Sequence, residues 1–149
     1  MLKRRCFFIG HRDAPSSLYE QLRAEIKQLI VNKNVSEFVI GEYGSFDALA
    51  SSAAVSLKSE FPDIRILRLI PYYRPSQSIL LPDGFDGSLF PEGLETVPKR
   101  FAIVCANQYM IEHSDHLICF VRYSFGNSAK LLEFASKKEQ KGKIHIIRL

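Results

Sequence analysis

No apolar run in this chain is long enough to span a membrane. A basic start over residues 1–5 is followed by an apolar stretch of only residues 6–9, too short for the core of a signal peptide. The three cysteines, Cys6, Cys105 and Cys119, form no CxxC pair and each sits inside an apolar run, which reads as reduced core thiols in a reducing compartment. The chain is therefore expected in the cytoplasm, with no membrane partner. Lysine and arginine total 20 against 16 acidic residues, a net charge of +4. These cations form no long run and do not alternate with aromatics, so a nucleic-acid partner is not expected. The mild excess suits a phosphorylated ligand, although it is also common in proteins that bind nothing anionic. There is no GxSxG, no Walker loop and no HExxH. The first strand is not followed by GxGxxG, which argues against an ordinary nicotinamide dehydrogenase. No cofactor is implied.

What is present is an alternation of strand and helix patterns in 149 residues, a length that fits one domain. Short apolar runs at residues 6–9, 37–40, 64–70, 117–121 and 144–149 read as five buried strands. Between them lie helical patterns. Leu18, Leu22, Ile26, Leu29 and Ile30 recur at three- and four-residue steps behind Pro15, and Phe46, Leu49, Ala50, Ala53, Ala54 and Leu57 follow Ser45. A third helix can start at Pro98 and run to about His113, and a lysine-rich one runs from Ala129 to about Lys141. Residues 72–96 hold several Pro and Gly residues and little periodicity, so a long loop is expected there. The fold class that follows is α/β, a Rossmann-like three-layer sandwich around a mostly parallel five-stranded sheet.

In such sheets ligands bind outside the carboxyl ends of the strands, which directs attention to three turns. The first strand ends in Gly10-His11-Arg12-Asp13. Glycine lets a ligand approach the backbone, Arg12 can fork onto a phosphate and His11 can donate a hydrogen bond; the alternative is a plain polar turn. The second strand ends in Gly41-Glu42-Tyr43-Gly44-Ser45-Phe46-Asp47, two glycines beside a helix N-terminus whose free N–H groups can cradle an anion. Asp47 would repel a phosphate but can accept hydrogen bonds from a ribose or a base; alternatively Ser45 and Asp47 only cap the helix. The fourth strand ends in Arg122-Tyr123-Ser124-Phe125-Gly126-Asn127-Ser128, again leading into a helix. Valine at Gly44 or Gly126 should block ligand approach and spare the fold, unless the glycine has a positive φ. Glu133, among Leu131, Leu132, Phe134 and Ala135, is a candidate for partial burial and proton transfer. Its alternative is an exposed residue paired with Lys130 or Lys137. His113, Asp115 and His116 are of metal-ligand type, but they cross a helix end into a strand, so their side chains should diverge and no metal site is expected.

Taken in order, these turns resemble the SLOG superfamily, and within it the YpsA-like proteins, relatives of the cytokinin-activating phosphoribohydrolases and of the Rossmann-like domain of DNA-processing protein A. The resemblance covers most of the chain. Phe8-Ile9-Gly10-His11-Arg12 looks like the YpsA-like opening, and Gly41 to Asp47 like its second glycine turn. Asn107-Gln108-Tyr109-Met110 with Ser114-Asp115 matches the helix and strand entry before the ligand turn. Gly126 and Glu133 keep the spacing of the first glycine and the catalytic glutamate in the phosphoribohydrolase PGGxGTxxE motif. Phe125 stands where that motif has proline, Asn127 and Ala129 replace its other glycines, Lys130 replaces its threonine, and Ala106 stands where those enzymes carry an arginine. The arginine–glutamate pair is thus broken, a change that binding tolerates better than hydrolysis.

The resemblance implies a domain that binds or senses a nucleotide or nucleotide-derived molecule. The ligand-binding set is Gly10, His11, Arg12, Gly41, Glu42, Gly44, Ser45, Asp47, Asn107, Gly126, Asn127 and Ser128. The alternative is hydrolysis of an N-glycosidic bond, with Glu133 catalytic. A third reading is a subunit recruited by a protein through residues 72–96. The resemblance also implies a homodimer, to which the sequence adds a helical face carrying Tyr109 and Met110.

Overall fold

The computed structural model describes residues 4–72 and 81–149. Part of the loop expected over 72–96, residues 73–80, lies outside the described residues. The chain runs β1 (Arg4–Gly10), a 3-10 turn (Ser16–Leu18), α1 (Tyr19–Lys33), β2 (Val35–Ile40), α2 (Ser45–Leu57), β3 (Arg65–Leu69), β4 (Gly87–Leu89), α3 (Lys99–Glu112), β5 (His116–Phe120), α4 (Asn127–Gln140) and β6 (His145–Arg148). The strands form one sheet in the order β4-β3-β2-β1-β5-β6, with every pairing parallel.

Both faces of this sheet are covered, which is why its strands read as continuous apolar runs rather than as alternations. Cys6, Phe8, Phe38, Ile40, Ile118 and Phe120 point to one side and pack on Leu22 and Ile26 of α1 and Phe46, Ala50 and Ala53 of α2. Phe7, Ile9, Val39, Leu117 and Cys119 point to the other and meet Ala106 and Met110 of α3 and Leu131 and Ala135 of α4. The period-two alternation of β1 is therefore split between two separate cores. The cysteines are free thiols; burial pushes the Cys119 thiol up to about 11, which keeps it protonated at neutral pH.

The sheet has six strands rather than five. The extra strand, β4, falls inside the expected loop and pairs Gly87, Ser88 and Leu89 with Leu67, Arg68 and Leu69. Three residues are too few to carry a period-two signal. What fixes them is tertiary: Asp86 donates its N–H to the Ile66 carbonyl (2.8 Å) and accepts the Ile66 N–H on Oδ2 (2.8 Å). The face proposed for self-association is also corrected, because Met110 is fully buried in the core and Tyr109 is partly buried and stacked on His113. No helix among the described residues is long and apolar enough to cross a membrane.

From β1 the chain steps outward through β2, β3 and β4, and α3 then carries it back to β5 on the opposite side of β1. Strand order therefore reverses between β1 and β5, and a crevice opens where their carboxyl-end turns splay apart.

At the amino edge of the sheet, the three ligand-type residues diverge. His113 Nδ1 meets the Tyr109 carbonyl (2.8 Å), Asp115 accepts the Arg5 N–H (2.9 Å), and His116 Nδ1 faces His145 Nδ1 (3.0 Å). Burial, and then His145, Arg4 and Lys33, hold the His116 pKa below its ordinary value, against the pull of Asp115. A histidine with a depressed native pKa binds fewer protons folded than unfolded, so its contribution is complete above about 6.5 and is lost on acidification. His116→Gln is expected to flatten the fall in stability as the pH drops below about 6.5. Urea midpoints across that range test this, and an unchanged slope in the variant would refute it.

Candidate functional site

A cavity of about 350 Å³ opens at the β1–β5 reversal. Its walls come from the turns after β1, β2 and β5, the first turn of α4, and Ile103 and Asn107 one helical turn apart on α3. Of the residues expected to bind ligand, Gly10, His11, Arg12, Gly41, Asp47, Asn107, Gly126, Asn127 and Ser128 line it. Glu42, Gly44 and Ser45 do not. Glu133 is exposed on α4 and outside the lining, which is the exposed alternative for this residue and not partial burial. Its α4 neighbours Leu131 and Ala135 face the core and turn it toward solvent, the outcome its helical position permits as readily as burial.

The turn after β5 is laced to the turn after β1. The Arg122 N–H donates to His11 Nε2 (2.7 Å), the Tyr123 hydroxyl to Asp13 (3.3 Å), and the Ser128 hydroxyl to the Gly10 carbonyl (3.2 Å). An accepting Nε2 places the His11 proton on Nδ1. His11 is buried, with its ring edge against Phe120 (5.8 Å), so it serves to join two turns more than to present a free donor. Gly10 is required by contact: a Cβ there would lie 2.3 Å from the Phe46 ring.

The two helix N-termini differ. Gly44 and Gly126 are the N-caps of α2 and α4, with nearly the same backbone, φ 105 and ψ −174 against φ 93 and ψ 176, and neither helix has a side-chain cap. At α2, the Ser45 N–H is spent on the Arg12 carbonyl (2.9 Å), so this end fastens the β1 turn instead of opening into the cavity. At α4, Gly126, Asn127 and Ser128 face the cavity, where the first N–H groups of the helix favour an anion.

Asp47 is the carboxylate among the described residues that line the cavity. Its Oδ2 accepts the Tyr43 N–H (3.0 Å) and lies 2.9 Å from where a Cβ on Gly41 would stand, so glycine at 41 gives the side chain its space. Burial raises its pKa to about 6, against the Tyr43 N–H and Arg68, which lower it, and with a smaller push from Glu42. Neither Ser45 nor Asp47 supplies a side-chain cap at Gly44, the N-cap of α2; Asp47 lines the cavity and Ser45 does not.

Arg68 and the rings of Tyr123 and Phe125 were not singled out by sequence. Arg68 is buried, donates to the Gly41 carbonyl and lies over the Phe85 ring (4.5 Å). Its signal was a charge in the middle of the apolar run of β3, whose other arginine, Arg65, stands at the exposed start of the strand. Tyr123 and Phe125 line the cavity although both are largely exposed, and their signal was two aromatic residues in a solvent turn. No family model matches this chain, and no curated protein matches it.

Proposed function

We propose that this chain is a SLOG-like domain that binds a nucleotide or nucleotide-derived small molecule in the cavity at the β1–β5 reversal. The observation that carries the reading is the convergence of three glycine turns, an uncapped helix N-terminus and one desolvated carboxylate on a single cavity. Its volume falls within the ordinary range for small-molecule sites. An anionic group fits the α4 N-terminus and Arg12, while Asp47 suits the hydroxyl or amine donors of a sugar or base. An anion-favouring helix end and a hydrogen-bond-accepting carboxylate lining one cavity are what a nucleotide, with its phosphate and its donor-bearing sugar or base, would satisfy.

Thermal-shift measurement over nucleotides and ADP-ribose tests this. A ligand at a hundred times its dissociation constant should add about 2.7 kcal/mol, a Tm rise of roughly 5–10 °C for a domain of this size. A flat response from folded, ligand-free protein would remove the proposal.

A second reading adds hydrolysis of an N-glycosidic bond. Asp47 supports it better than Glu133, because it lines the cavity and titrates near 6, where a general acid or base works well. Release of free base by the parent and by Glu133→Gln, but not by Asp47→Asn, would mark that chemistry. A cytoplasmic location remains part of the proposal on the reduced cysteines, and a homodimer on the resemblance.

A further inference from the structure

The turn after β5 exposes aromatic surface beside the cavity. Phe125 is 73% exposed and Tyr123 45%, the former the most exposed large hydrophobic side chain among the described residues. A solvent-facing Phe contributes nothing to either core, and this one also lines the cavity. The two rings are stacked, with centroids 5.4 Å apart and planes 18° apart. Tyr123 in turn lies on His11 at 4.6 Å, and His11 is wedged edge-on against Phe120. The result is a column of rings rooted in the core and ending in an exposed Phe125 ring at the cavity rim.

The base of this column is held firmly. The Arg122 N–H fixes His11, and the Tyr123 hydroxyl bonds Asp13. Rings ordered before a ligand arrives lose little entropy on binding. The residue after Phe125 is Gly126, the N-cap of α4, so the rings stand directly beside the N–H groups that favour an anion.

Resting on the nucleotide-binding reading, we infer that Phe125, backed by Tyr123, is the platform on which the planar base of the bound nucleotide stacks. This assigns an orientation. The base lies against the β5 turn, the phosphate goes to the α4 N-terminus and Arg12, and the sugar is left facing Asp47. Stacking is tolerant because every base has a π face, so affinities for the four common nucleoside 5′-monophosphates should lie close together, with purines ahead.

Calorimetric titration with adenosine 5′-monophosphate and with ribose 5-phosphate, which has the sugar and phosphate but no ring, tests the platform. Phe125→Ala and Phe125→Leu should weaken adenosine 5′-monophosphate by roughly 5- to 150-fold and leave ribose 5-phosphate unchanged. Phe125→Trp should keep affinity. The chain has no tryptophan, so that variant also reports directly: the nucleotide should quench its fluorescence and ribose 5-phosphate should not. Unchanged nucleotide affinity in Phe125→Ala overturns the platform and spares the functional reading. An equal loss for both probes overturns it too, because the side chain would then only shape the turn. A parent that binds none of the four monophosphates overturns the platform as stated, whereas the functional reading falls only if the wider thermal-shift panel of nucleotides and ADP-ribose is flat as well.

Discussion

Gly44→Val is expected to abolish or nearly abolish folding, whereas Gly126→Val should fold and lose its ligand. The two glycines have nearly the same backbone and the same place before a helix, yet their surroundings differ. At φ 105 and φ 93, both occupy a region that side chains rarely enter, a strain of about 1–3 kcal/mol each. A Cβ on Gly44 would also lie 2.6 Å from the Arg12 Cα, which is backbone and cannot step aside. Relieving that overlap would break the Ser45 N–H bond to the Arg12 carbonyl and separate α2 from the β1 turn. Overpacking of this kind adds about 1–3 kcal/mol or more, so the total, about 2–6 kcal/mol, reaches the lower end of the stability of an ordinary domain. Around Gly126, no described atom lies within 4 Å of the added Cβ, so only the strain remains. Its branched side chain would instead stand at the cavity. Expected are a parent-like circular dichroism spectrum with a modestly lower Tm for Gly126→Val, and a largely unfolded Gly44→Val. Equal melting temperatures would contradict this account of the two turns.

Asp47→Asn is expected to stabilise the protein at neutral pH and weaken the ligand at once. Below about pH 4 the carboxyl is protonated in both folded and unfolded chains, so the substitution changes little. Between about pH 4 and 6 the folded state keeps a proton that the unfolded state has lost, so the parent loses stability as pH rises. Above that window the cost is complete. A rise in pKa from 3.8 to about 6 corresponds to about 3 kcal/mol. Asparagine keeps an oxygen for the Tyr43 N–H but gives up the attraction of Arg68, leaving a net gain of about 1–3 kcal/mol at pH 7.5. Melting both proteins from pH 4 to 8 should show curves that lie close together near pH 4, separate between about pH 4 and 6 and keep a steady gap above that. A gap of constant size across the whole range, or a less stable variant at pH 8, would refute the desolvated carboxylate. Nucleotide affinity should fall by roughly 10- to 150-fold, the worth of a hydrogen bond to a charged group. Higher stability with weaker binding is the trade expected where a site keeps a charge at the fold's expense. Asp47 and His116 act on stability in opposite directions as the pH falls below about 6, so the parent profile alone does not separate them and the single variants do.

The α/β class, the helices and the three turns were legible because each is local. Apolar runs ending in glycine marked β1 and β2, and three- and four-residue spacing marked α1 and α2. Period and punctuation act within a few residues, and both cores follow from them. Most of the expected ligand residues also reached the cavity, since in a parallel sheet the strand ends gather at one edge whatever the order of the strands. The order itself, and the reversal between β1 and β5, came from long-range pairing. So did β4, three residues with no pattern of their own, held through Asp86 and Ile66. Gly44 and Gly126 looked equivalent in sequence; only the approach of Arg12 to one of them decided which opens toward a ligand and which locks two turns together. The same holds for the carboxylates. Sequence marked Glu133, about two turns into α4 among apolar neighbours, for proton transfer, and Asp47, in the first turn of α2, as a cap or a hydrogen-bond acceptor. Burial depends on what packs opposite a side chain, and the structure set Asp47 in the cavity and turned Glu133 to solvent.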